Sequence, residues 1–162
     1  MKAQAGDVEV LLPEVDLTLV ETDVESSTAL WEWDAKVMSK SLNLHDECLR
    51  TCLKKNNGIE LNTEGDSFLV CFTVASDAIN WCLDVQSGLM RIEWPPELSK
   101  SGIVSSSTEI NEGTTIFTGL RVRMGAHTAM ATLSGSTTVA TTRNQIFETD
   151  LLKVTTSHGH VL

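Results

Sequence analysis

Two short turns carry the residues best suited to chemistry. In T-D-V-E-S-S-T, residues 22–28, an apolar run stops at Asp23, and three hydroxyl side chains, Ser26, Ser27 and Thr28, open the next element. In N-T-E-G-D-S-F, residues 62–68, Gly65 and Asp66 stand between two apolar flanks. Ser and Thr commonly cap helices and Asp commonly ends strands, so each turn taken alone has an ordinary structural explanation. Taken together they offer more, because two carboxylates brought side by side repel unless one is protonated or a cation bridges them. Oxygen ligands of this kind favour Mg²⁺ or Mn²⁺, which keep several positions for water and substrate phosphates. A helix opening at residues 26–28 presents free amides and a positive dipole end to an anion. The combination suits a nucleoside triphosphate.

The elements that position these turns follow from periodicity. L-T-L-V-E-T, residues 17–22, is rich in Leu, Val and Thr and too short for a stable helix, which predicts a buried strand. From Ser26 to about Asn56, apolar residues recur at Leu30, Trp33, Val37, Met38, Leu42, Cys48, Leu49, Cys52 and Leu53, a spacing that predicts one long amphipathic helix. Asn56-Asn57-Gly58 supplies its stop signal. Residues 58–72 read as a hairpin turning at Gly65-Asp66, and residues 75–91 return to helical spacing before Pro95-Pro96. Residues 95–118, rich in Ser, Thr, Glu and Gly, are expected to be a poorly ordered loop insertion. G-L-R-V-R-M-G-A-H-T-A, residues 119–129, alternates as a half-buried strand, with 137–142 as its hairpin partner, a weak helix over 144–156 and a closing strand fragment.

That order predicts an α+β fold, a ferredoxin-like βαββαβ antiparallel sheet with helices on one face. The third strand slots between the first two and runs against both. The end of the first strand then meets the start of the third, and Asp23 and Asp66 become neighbours.

Composition limits the alternatives. The chain has 162 residues, 41% hydrophobic and 21% charged, which suits one globular domain. A formal charge of -10 argues against nucleic acid or an anionic membrane as partner, since those need clustered Lys and Arg. No window reaches the roughly 18 apolar residues of a membrane span, so a cytoplasmic placement is expected, either free or as the cytosolic domain of a larger membrane protein. The four cysteines, Cys48, Cys52, Cys71 and Cys82, form no CxxC pair and read as buried free thiols.

Three stretches in order, T-D-V-E-S-S-T-A-L-W, N-T-E-G-D-S-F and L-R-V-R-M-G-A-H-T, resemble the early blocks of class III adenylyl and guanylyl cyclase catalytic domains, most of all the receptor-type adenylyl cyclases of trypanosomes and similar algal and bacterial domains. The resemblance runs from about Asp16 onward, leaving residues 1–15 as an extension and 16–162 as the catalytic domain, with a C-terminal end shorter than the family's. It implies conversion of ATP to cyclic AMP and pyrophosphate with two Mg²⁺ or Mn²⁺ ions bound by Asp23, Asp66 and the Val24 carbonyl. The amides at Ser26, Ser27 and Thr28 hold phosphates in such a site. It also implies a dimer, because family sites form between two domains.

The second half of that site departs from the family pattern. Asn62 stands where adenylyl cyclases carry a base-reading lysine and guanylyl cyclases a glutamate. Alignment on S-H-G-H-V-L, residues 157–162, brings Phe147 and Leu151 to the positions of the transition-state asparagine and arginine, and Ala140 to that of the base-contacting aspartate; Arg143 and Asn144 lie a few residues off. Phe and Leu donate none of the hydrogen bonds or charge such positions need. Three readings stay open: the metal-bearing half of a heterodimeric cyclase, an active homodimer in which a shifted alignment brings Arg143 and Asn144 into play, or a degenerate dimerisation and regulatory module; ATP is favoured, with GTP as the alternative. His127 reads as structural, His158 and His160 lack partners for a zinc site, and Trp31, Trp33 and Trp81 read as core or dimer-face residues, with Trp94 exposed.

Overall fold

The first strand, β1 (Glu14–Val24), changes character along its length. Leu17, Thr18, Leu19 and Val20 are all buried, which explains the unbroken apolar run of a strand covered on both faces. From Glu21 onward exposed and buried positions alternate, so Glu21 and Asp23 lie on a face that has opened to solvent. The computed structural model describes residues 14–104, 107–108 and 115–132. Two units are distinguished by backbone contacts, Leu17–Thr128 and a second made of Met1–Asp16 with Ala129–Leu162. Every described site residue belongs to the first.

After β1 come α1 (Ser27–Trp33), α2 (Ala35–Lys55), β2 (Ile59–Glu64), β3 (Ser67–Phe72) and α3 (Ala75–Leu89). A 3-10 turn at Leu98–Lys100, two short strands β4 (Ser107–Thr108) and β5 (Thr115–Phe117), and the long β6 (Val122–Thr132) follow. The main sheet has the order β2-β3-β1-β6, with β3 antiparallel to both β1 and β2. This is the expected ferredoxin-like arrangement. Val20, Val24, Phe68, Val70 and Phe72 turn one sheet face toward the helices, where Leu30, Met38, Leu49, Trp81 and Val85 complete a buried cluster. Each of these large apolar side chains contributes roughly 1.5–3 kcal/mol on burial. The Trp81 indole N–H, wholly buried, donates to the Leu49 carbonyl at 3.2 Å.

Two helices replace the single long one that periodicity predicts. Asp34 breaks the run: its backbone is extended, at φ -156 and ψ 99, and its amide donates to the Leu30 carbonyl at 3.1 Å to close α1. Its carboxylate accepts the Lys36 and Val37 amides at 2.9 and 3.1 Å and so starts α2. The apolar spacing passes through the break unchanged, which is why periodicity alone hides it. At the far end Asn57, at φ 56, and the Gly58 amide bonded to Leu53 close α2 as the sequence predicts. Arg50 then ties α2 to β2 through a two-pronged ion pair with Glu60, both bonds 3.0 Å.

Two further expectations change. Trp94 is half-buried against the core, its indole N–H donating to the Leu89 carbonyl at 3.1 Å. The described part of the 95–118 insertion includes an ordered turn that buries Leu98. All four cysteines are free, and burial pushes the Cys48 and Cys71 thiols up to about 11. The expected elements over 137–142, 144–156 and 160–162 lie outside the described residues.

Candidate active site

The register of β1 against β3 delivers the first acid to the second. Thr18 faces Phe72, Val20 faces Val70 and Thr22 faces Phe68, so each step toward the end of β1 is a step toward the start of β3. The Thr22 hydroxyl oxygen accepts the Phe68 amide at 3.1 Å and pins that register beside the turn. Beyond Thr22, the Val24 amide donates to Asp66 Oδ2 at 3.0 Å. Glu64 pairs with Ser67, leaving a two-residue turn with positive φ (62) at Gly65 only, the pattern of a type II′ hairpin. The turn folds Asp66 back onto the residue that follows Asp23.

Asp23 has a partner of its own. Arg123 on β6 donates to Asp23 Oδ2 through Nε at 2.8 Å and also through Nη2. Thr18 bonds Thr128 at 2.9 Å, and the Glu25 amide donates to the Arg121 carbonyl at 2.9 Å. As the β1 number rises the β6 number falls, so these two strands are antiparallel, with Asp23 opposite Arg123. Arg121 lies 3.6 Å from Glu25, a second cross-strand charge pair. The Asp23 carboxylate raises the Arg123 guanidinium above its ordinary pKa, by hydrogen bonding first and by charge attraction second.

The remaining residues singled out in the sequence surround this junction. Val24 is buried, with its amide engaged by Asp66. Ser26 is exposed and left-handed, at φ 60 and ψ 27, and makes no side-chain cap for α1. For a non-glycine residue that conformation costs roughly 1–2 kcal/mol, and such strain tends to be kept where function requires it. Ser27 opens α1 and Thr28 follows it, exposed. Asn62 pairs with Leu69 just after an irregularity in β2, and Leu69 faces Glu21, so Asn62 shares a sheet face with Glu21 and Asp23. His127 is exposed on β6. Ala140, Arg143, Asn144, Phe147, Leu151, His158 and His160 lie outside the described residues.

The donor set fits a hard divalent ion that shares its shell with a ligand. Among the described residues no group of three or more His, Cys, Asp and Glu could hold a metal by itself. Asp66 reaches the backbone of Val24, the residue after Asp23, and one or two carboxylates are the complement that Mg²⁺ uses when water and phosphate oxygens fill the rest. A cavity of about 200 Å³ lined by Trp94, Pro96, Leu98, Val104 and Gly119 includes none of these residues.

Residues 13–153 match the family model described as the adenylate and guanylate cyclase catalytic domain. The chain belongs to that family. An adenylate cyclase of Neurospora crassa is 40% identical to the cyclase domain over 121 residues, 75% of this chain and 5% of the relative. Receptor-type adenylate cyclase B of Leishmania donovani is 30% identical over 130 residues, 70% of this chain and 10% of the relative. The cyclase domain thus spans a small part of the curated relatives it matches. Its fold superposes with a TM-score of 0.63 and 25% identity on an adenylate cyclase of Trypanosoma brucei in its monomeric state, covering 74% of this chain and 58% of that one.

Arg123 is the neighbour that sequence reading missed. The signal was present in L-R-V-R-M-G: two arginines alternate on one strand as Asp23 and Glu25 alternate on another. Matching them requires the β1–β6 register.

Proposed function

We propose that this cyclase domain supplies the acid-bearing half of a dimeric site that converts ATP to cyclic AMP and pyrophosphate. The observation that carries the reading is the hydrogen bond from the Val24 amide to Asp66, which joins two acid turns from distant parts of the chain into one oxygen-donor junction. Asp23, Asp66 and the Val24 carbonyl hold the metal. A pair of Mg²⁺ or Mn²⁺ ions supplies there the positive charge that neutralises a triphosphate and lowers the pKa of a ribose hydroxyl. The ribose 3′-oxygen bonds to the α-phosphorus, the bond from that phosphorus to pyrophosphate breaks, and the hydroxyl proton passes to water. Ser26, Ser27 and Thr28 orient the phosphates, and the strained Ser26 beside Asp23 supports that role. Gly65 permits the turn that presents Asp66, and Asn62 lies toward the base. Residues 16–162 form the catalytic domain, with 1–15 as an extension and 95–118 as an insertion.

Among the described residues no helix is long and apolar enough to cross a membrane, and we place the domain on the cytosolic side. ATP is favoured over GTP because the 38–40% identical relatives are adenylate cyclases. Asn62 carries neither the charge nor the acceptor pair that discriminates the two bases, which favours a non-catalytic dimerisation module as the second reading, with a guanylyl cyclase as the alternative nucleotide preference. The test is production of cyclic AMP and cyclic GMP by the purified chain with Mn²⁺ and ATP or GTP, alone and with a complementary cyclase domain, beside Asp23→Ala. Cyclic AMP that disappears in Asp23→Ala supports the proposal; none under any pairing sinks it.

A further inference from the structure

We infer that Arg123 is a built-in competitor for the metal site: its guanidinium occupies Oδ2 of the Asp23 carboxylate, and a divalent ion takes that oxygen only by displacing it. The inference rests on the reading of Asp23 and Asp66 as metal ligands. Two N–H groups of Arg123 converge on one oxygen, Asp23 Oδ2. The position is delivered by the backbone. The Thr18–Thr128 bond on one side and the bond from the Glu25 amide to the Arg121 carbonyl on the other set the strand register, and Asp23 and Arg123 face each other between them.

A guanidinium at hydrogen-bond distance uses the lone pairs of Oδ2, and its charge repels any ion that approaches either carboxylate oxygen. The contact is nevertheless one that an ion can open. The Asp23 and Arg123 side chains are 49% and 67% exposed, and exposed ion pairs are weak and screened by salt. Asp66 differs, because its partner is the neutral Val24 amide, which stabilises the carboxylate without competing in charge. The two acids therefore begin from different states: among the described residues Asp66 is bonded to no cationic side chain, whereas one oxygen of Asp23 is.

Mn²⁺ binding without nucleotide tests this, read from the electron paramagnetic resonance signal of free Mn²⁺ with the wild-type chain and with Arg123→Met, Arg123→Lys, Arg121→Met and Asp66→Asn. Arg123→Met is expected to lower the Mn²⁺ dissociation constant about fivefold at low salt. Arg123→Lys and Arg121→Met are expected to stay near wild type. The gap between wild type and Arg123→Met closes as KCl approaches about 1 M, where screening acts over about 3 Å. A purely structural role for Arg123 would not produce that salt dependence. Should circular dichroism show Arg123→Met unfolded, Arg123→Gln, which keeps an N–H donor without the charge, makes the same comparison. Binding that needs Asp66 but is unchanged or weaker without the Arg123 charge overturns this inference alone. Absence of any Asp66-dependent binding overturns the metal reading and the inference with it.

Discussion

The amide of Val24 and the carboxylate of Asp66, 42 positions apart, are joined by a 3.0 Å hydrogen bond. Asp66 therefore has a structural task, holding the hairpin tip against the end of β1, beside its proposed task as a metal ligand. The two tasks separate chemically, since an amide side chain accepts the same hydrogen bond and carries no charge.

Asp66→Asn is accordingly expected to keep the fold and lose the chemistry. Cyclic AMP formation should drop at least about a hundredfold, while the thermal midpoint moves by no more than about 2 °C. Asp66→Ala removes the acceptor as well and should lower both. Parallel turnover and melting measurements on the two variants distinguish the outcomes.

Asp34 caps two helices at once, which makes it sensitive out of proportion to its half-buried position. Asp34→Ala should cost about 1 kcal/mol and about 3 °C in thermal midpoint. Asp34→Ser, which retains a side-chain acceptor for the start of α2, should recover most of that loss in a urea titration.

Gly65 and Gly119 both have positive φ, at 62 and 81, yet their surroundings differ. A Cβ at Gly65 meets nothing within 4 Å, whereas one at Gly119 would lie 1.9 Å from the Trp94 indole nitrogen. Gly65→Ala should therefore cost only the backbone strain, about 1 kcal/mol. Gly119→Ala should cost about 3 kcal/mol, by adding displacement of a packed indole to the strain. A shift in tryptophan emission for Gly119→Ala and none for Gly65→Ala is the accompanying signature.

The Glu60 carboxyl is held below its ordinary value, first by hydrogen bonds from Arg50. A carboxyl with a depressed folded pKa contributes stability above its unfolded pKa, and that contribution is lost as pH falls through the folded value. The urea midpoint should thus decline as pH drops below about 4.5, the unfolded value. Glu60→Gln should start lower at neutral pH and show a shallower decline over the same range, measured as urea midpoint against pH.

Legible in local sequence were the central strand, the hairpin at Gly65-Asp66, the closing of α2 at Asn57-Gly58 and, through topology, the approach of the Asp66 turn to the end of β1 at Val24. Local chemistry is enough for these. β-branched and apolar runs, turn glycines and stop residues act over a few positions, and a crossover helix followed by a hairpin leaves few ways to order three strands. Tertiary structure decided the rest. The break at Asp34 interrupts the backbone without interrupting the apolar spacing, so only the capping bonds reveal it. Trp94 is drawn inward by the Leu89 carbonyl and by the room that Gly119 leaves, neither of which its neighbours Pro95 and Pro96 announce. The Asp23–Arg123 pair spans 100 positions and depends on the alignment of two strands joined through every other element of the domain. A one-residue slip in that register would turn Arg123 to the opposite face of the sheet, and no local property of either residue specifies which register the packed core selects.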